Sequence, residues 1–222
     1  MDLRGCAIIA AYNEEKTIGP IVRKIRSKKL ECVVIDDGSS DSTKQIAEQE
    51  GAYVIAHSKN IGKGASLRDG FKYILDGNYD YAIAMDGDGQ HNADEIDDFL
   101  KASEEGDNQF ILGNRMWNPM GMPLIRRLTN RFMSFLISLI TQQRLPDSQC
   151  GFRLIKSNVL KNVALTTNKY EIESEMLIKA ARAGFKIKSI PIKSIYKGQK
   201  SYIRPLADTF RFITFILKTG LR

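Results

Sequence analysis

After the apolar run Tyr81 to Met85 the chain reads Asp86-Gly87-Asp88-Gly89-Gln90-His91. Two carboxylates at i and i+2, with glycine on both sides of Asp88, enter a turn in which both can face one cation. Hard oxygen ligands that leave coordination positions open suit magnesium or manganese held jointly with a substrate's phosphates. Such an ion would neutralise charge on a leaving diphosphate. Aspartates of this kind also shape turns and cap helices, and the pattern alone leaves both roles open. His91, a lone histidine at a helix start, reads as structural.

Three further polar clusters each follow an apolar run. Tyr12-Asn13-Glu14 follows Ala7 to Ala11, Asp36-Asp37-Gly38-Ser39-Ser40-Asp41 follows Cys32 to Ile35, and Asn60-Ile61-Gly62-Lys63-Gly64 follows Ala52 to Ala56. A carboxylate at Asp37 can accept from the ring N–H groups of a nucleobase; a turn leading into an N-cap explains the same residues. The glycines around Lys63 suggest a phosphate loop with exposed amides and an ammonium. It is not the P-loop, because the spacing and the final Ser or Thr are missing. No G-x-G-x-x-G follows the first run, which counts against a nicotinamide enzyme.

Positioning these clusters requires strands that end beside one another. Ala7 to Ala11, Cys32 to Asp36, Ala52 to Ala56 and Tyr81 to Met85 read as strands, and runs apolar throughout indicate burial on both faces. Helical patterns separate them at Glu15 to Ser27, Ser42 to Glu50 and Ala65 to Leu75. Asp41 can cap the second helix, and Asn92 with Glu95 forms a capping box for a helix running to about Glu104. This βαβ series predicts an α/β fold, a mostly parallel sheet flanked by helices with ligands at the C-terminal edge of its strands. Beyond Phe110 to Leu112 come a basic helix over Met122 to Gln143, a turn-rich segment from Leu145 to Gly151, a helix over Glu171 to Ala183 and a strand over Lys186 to Ile190. Without repeats or linkers, residues 1–222 read as one domain.

The charge is divided along the chain. Residues 1–111 hold 13 basic and 21 acidic side chains, whereas residues 112–222 hold 20 basic and 5 acidic, within a total of +7. At 43% apolar residues the chain is not disordered. Cys6, Cys32 and Cys150 have no paired or metal-ligand spacing, which excludes a zinc site and predicts reduced thiols in a cytoplasmic protein. No signal-peptide pattern opens the chain. Phe132 to Ile140 falls well short of the roughly 20 residues a spanning helix needs. Pro205 to Leu221 mixes Phe210, Ile213, Phe215 and Leu217 with Arg204, Arg211 and Lys218, suiting either a membrane interface or packing on the domain.

Taken in order, Tyr12-Asn13-Glu14, Asp36 to Asp41, Asn60 to Gly64, Met85 to His91, Gly113-Asn114-Arg115 and Asp147-Ser148-Gln149-Cys150-Gly151-Phe152-Arg153 resemble a family 2 glycosyltransferase. The branch is that of dolichyl-phosphate mannose synthase, and the resemblance covers essentially the whole chain. It implies a GT-A fold with a nucleotide-sugar and metal-binding half, residues 1–111, and an acceptor-binding half, residues 112–222. It implies that Ala10, Tyr12, Glu14, Ile35 and Asp37 line a nucleoside pocket and that Lys63 and Gly87 also border the donor. Asp86, Asp88 and Gln90 would hold Mg or Mn, and Arg115 would face the donor diphosphate. Arg127, Arg131, Lys197 and Lys200 would grip phosphates of donor and acceptor, with Asp88, Arg115 and Arg131 carrying the catalysis.

The implied reaction is inverting transfer of a hexose from GDP-mannose or a UDP-hexose to polyprenyl or dolichyl phosphate. The protein would sit peripherally on an anionic membrane surface, at its cytoplasmic face. An anionic phosphate acceptor needs little general-base help; a hydroxyl acceptor would need a carboxylate, for which Asp88 and Glu173 are candidates. Transfer to a saccharide and a noncatalytic nucleotide-sugar or nucleic-acid binding module are the competing readings. The basic half lacks an aromatic-interleaved stripe, which disfavours nucleic acid.

Overall fold

The computed structural model describes residues 3–106, 108–196 and 211–216. In chain order the elements are β1 (Gly5–Ala11), α1 (Ile18–Ser27), β2 (Glu31–Asp36), α2 (Thr43–Gln49), β3 (Tyr53–Ala56), α3 (Lys63–Asp76) and β4 (Tyr81–Asp86). They continue with α4 (Ile96–Glu104), β5 (Phe110–Asn114), α5 (Leu124–Thr141), β6 (Arg153–Lys156), α6 (Ser157–Asn162), α7 (Glu171–Arg182) and β7 (Ile187–Pro191). The strands form one seven-stranded sheet in the order β3-β2-β1-β4-β6-β5-β7. β3, β2, β1 and β4 are mutually parallel, as the apolar runs predict, and β7 pairs parallel with β5.

The departure is β6, which runs antiparallel between β4 and β5. Neither β6 nor α6 is legible in the sequence. Arg153-Leu-Ile-Lys156 is four residues with a charge at each end, too short to show a period. Its direction has a consequence for the site. An antiparallel strand enters where its parallel neighbours end, and Arg153 pairs opposite Ala84 of β4 and Leu112 of β5. The turn-rich segment before β6 therefore lies on the edge where the loops after β1, β2 and β4 emerge.

The sheet is packed on both faces. Ile8, Ile9, Val33, Val34, Ile35 and Ile83 are fully buried, as are Ile18, Val22 and Ile25 of α1 and Phe99 of α4. Phe99 stacks on Phe152, ring centroids 4.3 Å apart. The caps only partly follow expectation. Asp41 accepts from the Thr43 amide at 3.0 Å, and Asn92 from the Asp94 amide at 3.0 Å. Glu95 does not close the box; its carboxylate crosses the molecule to accept from the Lys193 amide at 2.7 Å.

Residues 211–216 are helical. Phe212 is buried in the core and Phe215 and Ile216 pack against it, so the described part of the C-terminal segment takes the packing role. Lys197, Lys200 and the rest of that segment lie outside the described residues. The exposed apolar stripe is instead on α5, where Leu124, Leu128, Phe132, Phe135 and Leu139 are each more than half exposed. No helix among the described residues is long and apolar enough to cross a membrane.

α3 approaches the sheet most closely at Gly70, where an added Cβ would lie 2.5 Å from Cγ2 of Ile8 and 3.0 Å from Cδ1 of Ile35. Gly70→Ala gains about 1 kcal/mol of helix propensity but overpacks the helix–sheet seam at a cost of about 1–3 kcal/mol. A net loss of stability is expected in denaturant unfolding.

Candidate active site

The register of the parallel strands sets the site. Ala10 stands opposite Asp86 on one side and Ile35 on the other, and Ala11 stands opposite Asp36, so the loops after β1, β2 and β4 leave at one level. They are laced together by polar contacts. The Asn13 amide donates to Ser39 Oγ at 2.9 Å, and Asn13 Oδ1 accepts from the Ser40 amide at 2.9 Å. The Glu14 amide donates to Thr43 Oγ1 at 2.7 Å. Thr17 Oγ1 lies 2.6 Å from the Gly87 carbonyl, tying the first loop to the aspartate turn.

Asp37 is buried, with its carboxylate turned inward. Its Oδ1 accepts from the Ile61 amide at 2.9 Å and meets His57 Nδ1 at 2.8 Å, while Oδ2 accepts from the Gly62 amide at 2.8 Å. Gly38, at φ +73°, lets the second loop press on the third, since a Cβ there would sit 2.5 Å from the Lys59 carbonyl carbon. The expected cradle of exposed amides around Lys63 is not formed. Ile61 and Gly62 donate to Asp37, and the Gly64 amide donates to the Asn168 carbonyl at 2.9 Å. The two residues before Asn168 are held by Glu175, which is buried and accepts from the amides and hydroxyls of Thr166 and Thr167. Burial pushes the Glu175 carboxyl up, but Lys179 and these donors outweigh it and hold it at about 2.

Lys63 projects across the cleft. Its ammonium is 2.5 Å from Asp86 Oδ1 and 2.5 Å from Glu173 Oε1. Glu173 passes the charge on to Arg153, whose NH2 is 3.3 Å from Oε2. Burial opposes ionisation of both Lys63 and Asp86, but their mutual attraction wins: Lys63 is held well above its ordinary pKa and Asp86 well below. Asp88 goes the other way, raised first by burial and then by the Asp86 charge. Glu14 is pushed up to about 7 by burial and, after the opposing Thr17 hydrogen bond, by Asp88, Asp41 and Asp86.

Among the described residues no three His, Cys, Asp or Glu side chains gather to hold a metal. Asp86 and Asp88 supply two hard carboxylates, and a divalent cation there would need further oxygen ligands such as a substrate's phosphates. Gln90 belongs to this turn: its amide donates to Asp88 Oδ1 at 2.9 Å, and its carbonyl accepts from the Ile195 amide at 3.0 Å. His91 is buried as structure, its ring tilted on Phe152 with centroids 5.4 Å apart. Its Nε2 is 3.6 Å from Asp86 Oδ2, beyond hydrogen-bond reach.

Several expected residues are placed differently from the pattern that suggested them. Ile35 is fully buried and its side chain packs towards α3, so it supports the pocket floor without lining an opening. Arg115 is paired with Asp147 through Nε at 2.8 Å and NH2 at 2.9 Å, and its amide donates to the same carboxylate. Asn130 of α5 adds a bond to Asp147 at 2.6 Å. Burial works against both charges, yet the pair raises Arg115 and lowers Asp147. Ala10 stands near the end of β1 opposite Asp86, Tyr12 follows that strand, and Gly87 follows β4, where a Cβ would lie 3.2 Å from that of Ala11. Arg131 is exposed on α5 and lines a cavity of about 420 Å³ with Met116, Phe135, Arg144 and Pro146. Arg127 is half-buried on the same helix, its Nε without a hydrogen-bond partner among the described residues.

Three contributors have no role that the sequence alone assigns. Thr17 and His57 are single polar residues beside loops. Gly151 lies so close to the aspartate turn that a Cβ would come 2.6 Å from Asp86 Oδ2, which only the antiparallel entry of β6 brings about.

A helix-flanked, mostly parallel sheet with charge-paired polar loops at its strand ends defines an α/β protein, and in such folds ligands bind at that edge. Residues 6–164 match glycosyl transferase family 2, and the chain belongs to that family. It is 32% identical over 212 residues to a UDP-N-acetylglucosamine–dolichyl-phosphate N-acetylglucosaminyltransferase of Methanococcus voltae, covering 85% of this chain and 84% of the relative. It is 30% identical over 208 residues to glycosyltransferase AglJ of Haloferax volcanii, covering 91% and 67%. The crystal structure of Mycobacterium tuberculosis glucosyl-3-phosphoglycerate synthase with Mn2+, UDP and glucosyl-3-phosphoglycerate superposes with a TM-score of 0.76 at 19% identity, covering 98% of this chain and 80% of that one. The fold is GT-A.

Glu14 gives the cleft a signature in stability. Its carboxyl binds a proton more tightly folded, at about 7, than unfolded, at about 4.3. Stability is therefore lost as pH rises through that window. Glu14→Gln removes the penalty: it should stabilise by about 1–2 kcal/mol at pH 8 and be near neutral at pH 4. Denaturant midpoints measured in chelator at the two pH values check this.

Proposed function

We propose that this glycosyltransferase moves a hexosyl group from a nucleotide sugar onto a polyprenyl-type lipid phosphate at a membrane surface, with inversion and with a divalent cation. The observation that carries the reading is that the basic, apolar helix α5 is tied through Asn130 to Asp147, in the same segment whose Gly151 abuts Asp86 of the acidic turn. Along α5 the exposed side chains Leu128, Phe132 and Phe135 flank the exposed Arg131. Apolar side chains suit acyl or isoprenoid surface and the guanidinium suits a phosphate. UDP-N-acetylglucosamine, the donor in the Methanococcus relative's name, is the first donor to test, ahead of GDP-mannose and UDP-glucose.

Ala10, Tyr12, Glu14 and Asp37 border the nucleoside, Ile35 backs that pocket from the core, and Gly87 keeps the turn close to β1. Asp86, Asp88 and Gln90 would hold Mg or Mn, which when bound supplies positive charge against the leaving diphosphate. A lipid phosphate oxygen forms the bond to the anomeric carbon as the carbon–oxygen bond to the nucleoside diphosphate breaks, the electron pair leaving with the diphosphate. The nucleophile is already an anion, so no proton has to be removed, and catalysis rests on alignment and charge. Lys63 keeps Asp86 ionised at the cleft. Arg115, fixed by Asp147, positions the wall between the cleft and α5. Arg131, Arg127, Lys197 and Lys200 are assigned to phosphate binding.

Release of nucleoside diphosphate from the donor is expected to require Mg or Mn and to accelerate when polyprenyl phosphate is presented in anionic vesicles. Acceleration by soluble saccharides alone would overturn the lipid reading, and binding without turnover would overturn the enzymatic one. Asp88→Asn should lower kcat at least 100-fold, about 2.7 kcal/mol of transition-state stabilisation, with an unchanged unfolding midpoint; full activity would remove Asp88 from the cation site. Arg131→Ala should raise the KM for lipid phosphate about tenfold, the loss of one charge-assisted contact, and leave the donor KM unmoved.

A further inference from the structure

His57 stands just beyond β3, and neither ring nitrogen faces solvent freely. Nδ1 is 2.8 Å from Asp37 Oδ1 and Nε2 is 3.0 Å from Asp69 Oδ2. The His57 side chain is 11% exposed, Asp37 5% and Asp69 48%. Asp37 at the end of β2 and Asp69 on α3 are the charged groups that face the ring. A neutral imidazole donates from one nitrogen and presents a lone pair at the other. With a carboxylate on each side, only the imidazolium satisfies both contacts; loss of its proton sets a lone pair against a carboxylate.

The consequence reaches the nucleoside side of the cleft through Asp37. The oxygen that meets His57 also accepts from the Ile61 amide, and the other oxygen accepts from Gly62. Gly62 leads directly into Lys63 and α3. The His57 amide is anchored separately, donating to the Asp36 carbonyl at 2.9 Å, so the ring is held at a fixed distance from the carboxylate it orients.

We propose that His57 is a positioning residue for the donor pocket, an imidazolium clip between Asp37 and Asp69 whose deprotonation loosens the Asp37 carboxylate from the 61–62 loop and weakens nucleotide binding. The inference rests on the assignment of Asp37 to the nucleoside pocket. Burial opposes the charge on His57, but the two carboxylates outweigh it and raise its pKa. The sign follows: the clip is at full strength below about pH 6.5, the unfolded value, and is lost as pH rises through the higher folded value.

Two readouts test this. In nitrogen-detected NMR of the free protein, His57 should titrate above about 6.5, and exchange of the Ile61 and Gly62 amides should quicken, beyond the intrinsic base-catalysed increase, across the same transition. Asp69→Asn keeps an acceptor for Nε2 but removes one charge, so it should move that transition down by about one pH unit. Binding of UDP and of GDP, measured by calorimetry from pH 5.5 to 9, should weaken about tenfold across the wild-type transition, shift with it in Asp69→Asn, and lose that transition in His57→Asn. In turnover the donor KM should follow this transition while kcat does not. A His57 that titrates at or below about 6.5, or an Asp69→Asn protein with an unmoved transition, would overturn the proposal. If neither nucleotide binds at any pH while His57 titrates and the two amides respond as expected, the clip stands and the nucleoside assignment of Asp37 falls instead.

Discussion

The buried chain of charges Arg153–Glu173–Lys63–Asp86 holds the two halves of this molecule to one another. Its members come from β6, α7, the start of α3 and the end of β4, so it crosses between the basic half and the acidic half at the Glu173–Lys63 pair. Taking four charges out of water is costly, and their alternation of sign is what makes the arrangement tolerable. Each inner member faces opposite charges: Lys63 lies between two carboxylates, and Glu173 between an ammonium and a guanidinium. Removing one partner would leave an uncompensated buried charge, at a cost of about 3–5 kcal/mol. The chain thus fixes the position of Asp86 from the far side of the cleft, while Gly151 leaves room for its carboxylate.

The same logic of compensation explains how an acidic half can fold with so many carboxylates at one edge. Most of them are satisfied locally. Asp36 takes the Ser39 hydroxyl and amide, Asp37 two amides and a histidine, and Asp41 the amides of Glu15 and Thr43. Glu14, Asp88 and Glu95 are left with raised pKa values, first by burial, and at Glu14 and Asp88 neighbouring carboxylates add to it. Loop positions that are fully hydrogen-bonded act as scaffold, and uncompensated charge is concentrated at the mouth of the cleft. That is the pattern expected where a cationic or polycoordinating ligand completes a site.

Much of this was legible in the sequence because it is written in local patterns. The βαβ series, its strand edge and the polar loops follow from apolar periodicity and punctuation. What was not legible is pairing. Arg115 and Asp147 stand in two separate motifs, and nothing in their spacing joins them. Lys63 in a glycine-rich loop suggests a phosphate grip, yet the fold turns its neighbouring amides towards Asp37 and Asn168. β6 escaped because four residues carry no periodicity, and with it went the reason for Gly151. Glu95 has capping-box spacing, but Lys193 outcompetes the local partner. In each case a long-range contact overrides a short-range rule.

The two amphipathic segments make the same point about surfaces. By composition, the C-terminal segment and α5 are equally suited to an interface, since both mix aromatic and aliphatic residues with arginine. Folding separates them. Phe212 enters the core with Phe215 and Ile216 against it, so the described part of the C-terminal segment buries its apolar face on the domain. α5 buries a different stripe, Met133, Ser134 and Ile137 with Asn130, and its inward polar residues are tied to the 145–151 segment through Ser134, Ser148 and Asp147. With that face fixed by hydrogen bonds, the helix cannot rotate to hide Leu128, Phe132 and Phe135. The exposure of an apolar stripe beside Arg131 is therefore imposed by the same network that seats Arg115, and the proposed acceptor face and the wall of the cleft are two sides of one helix.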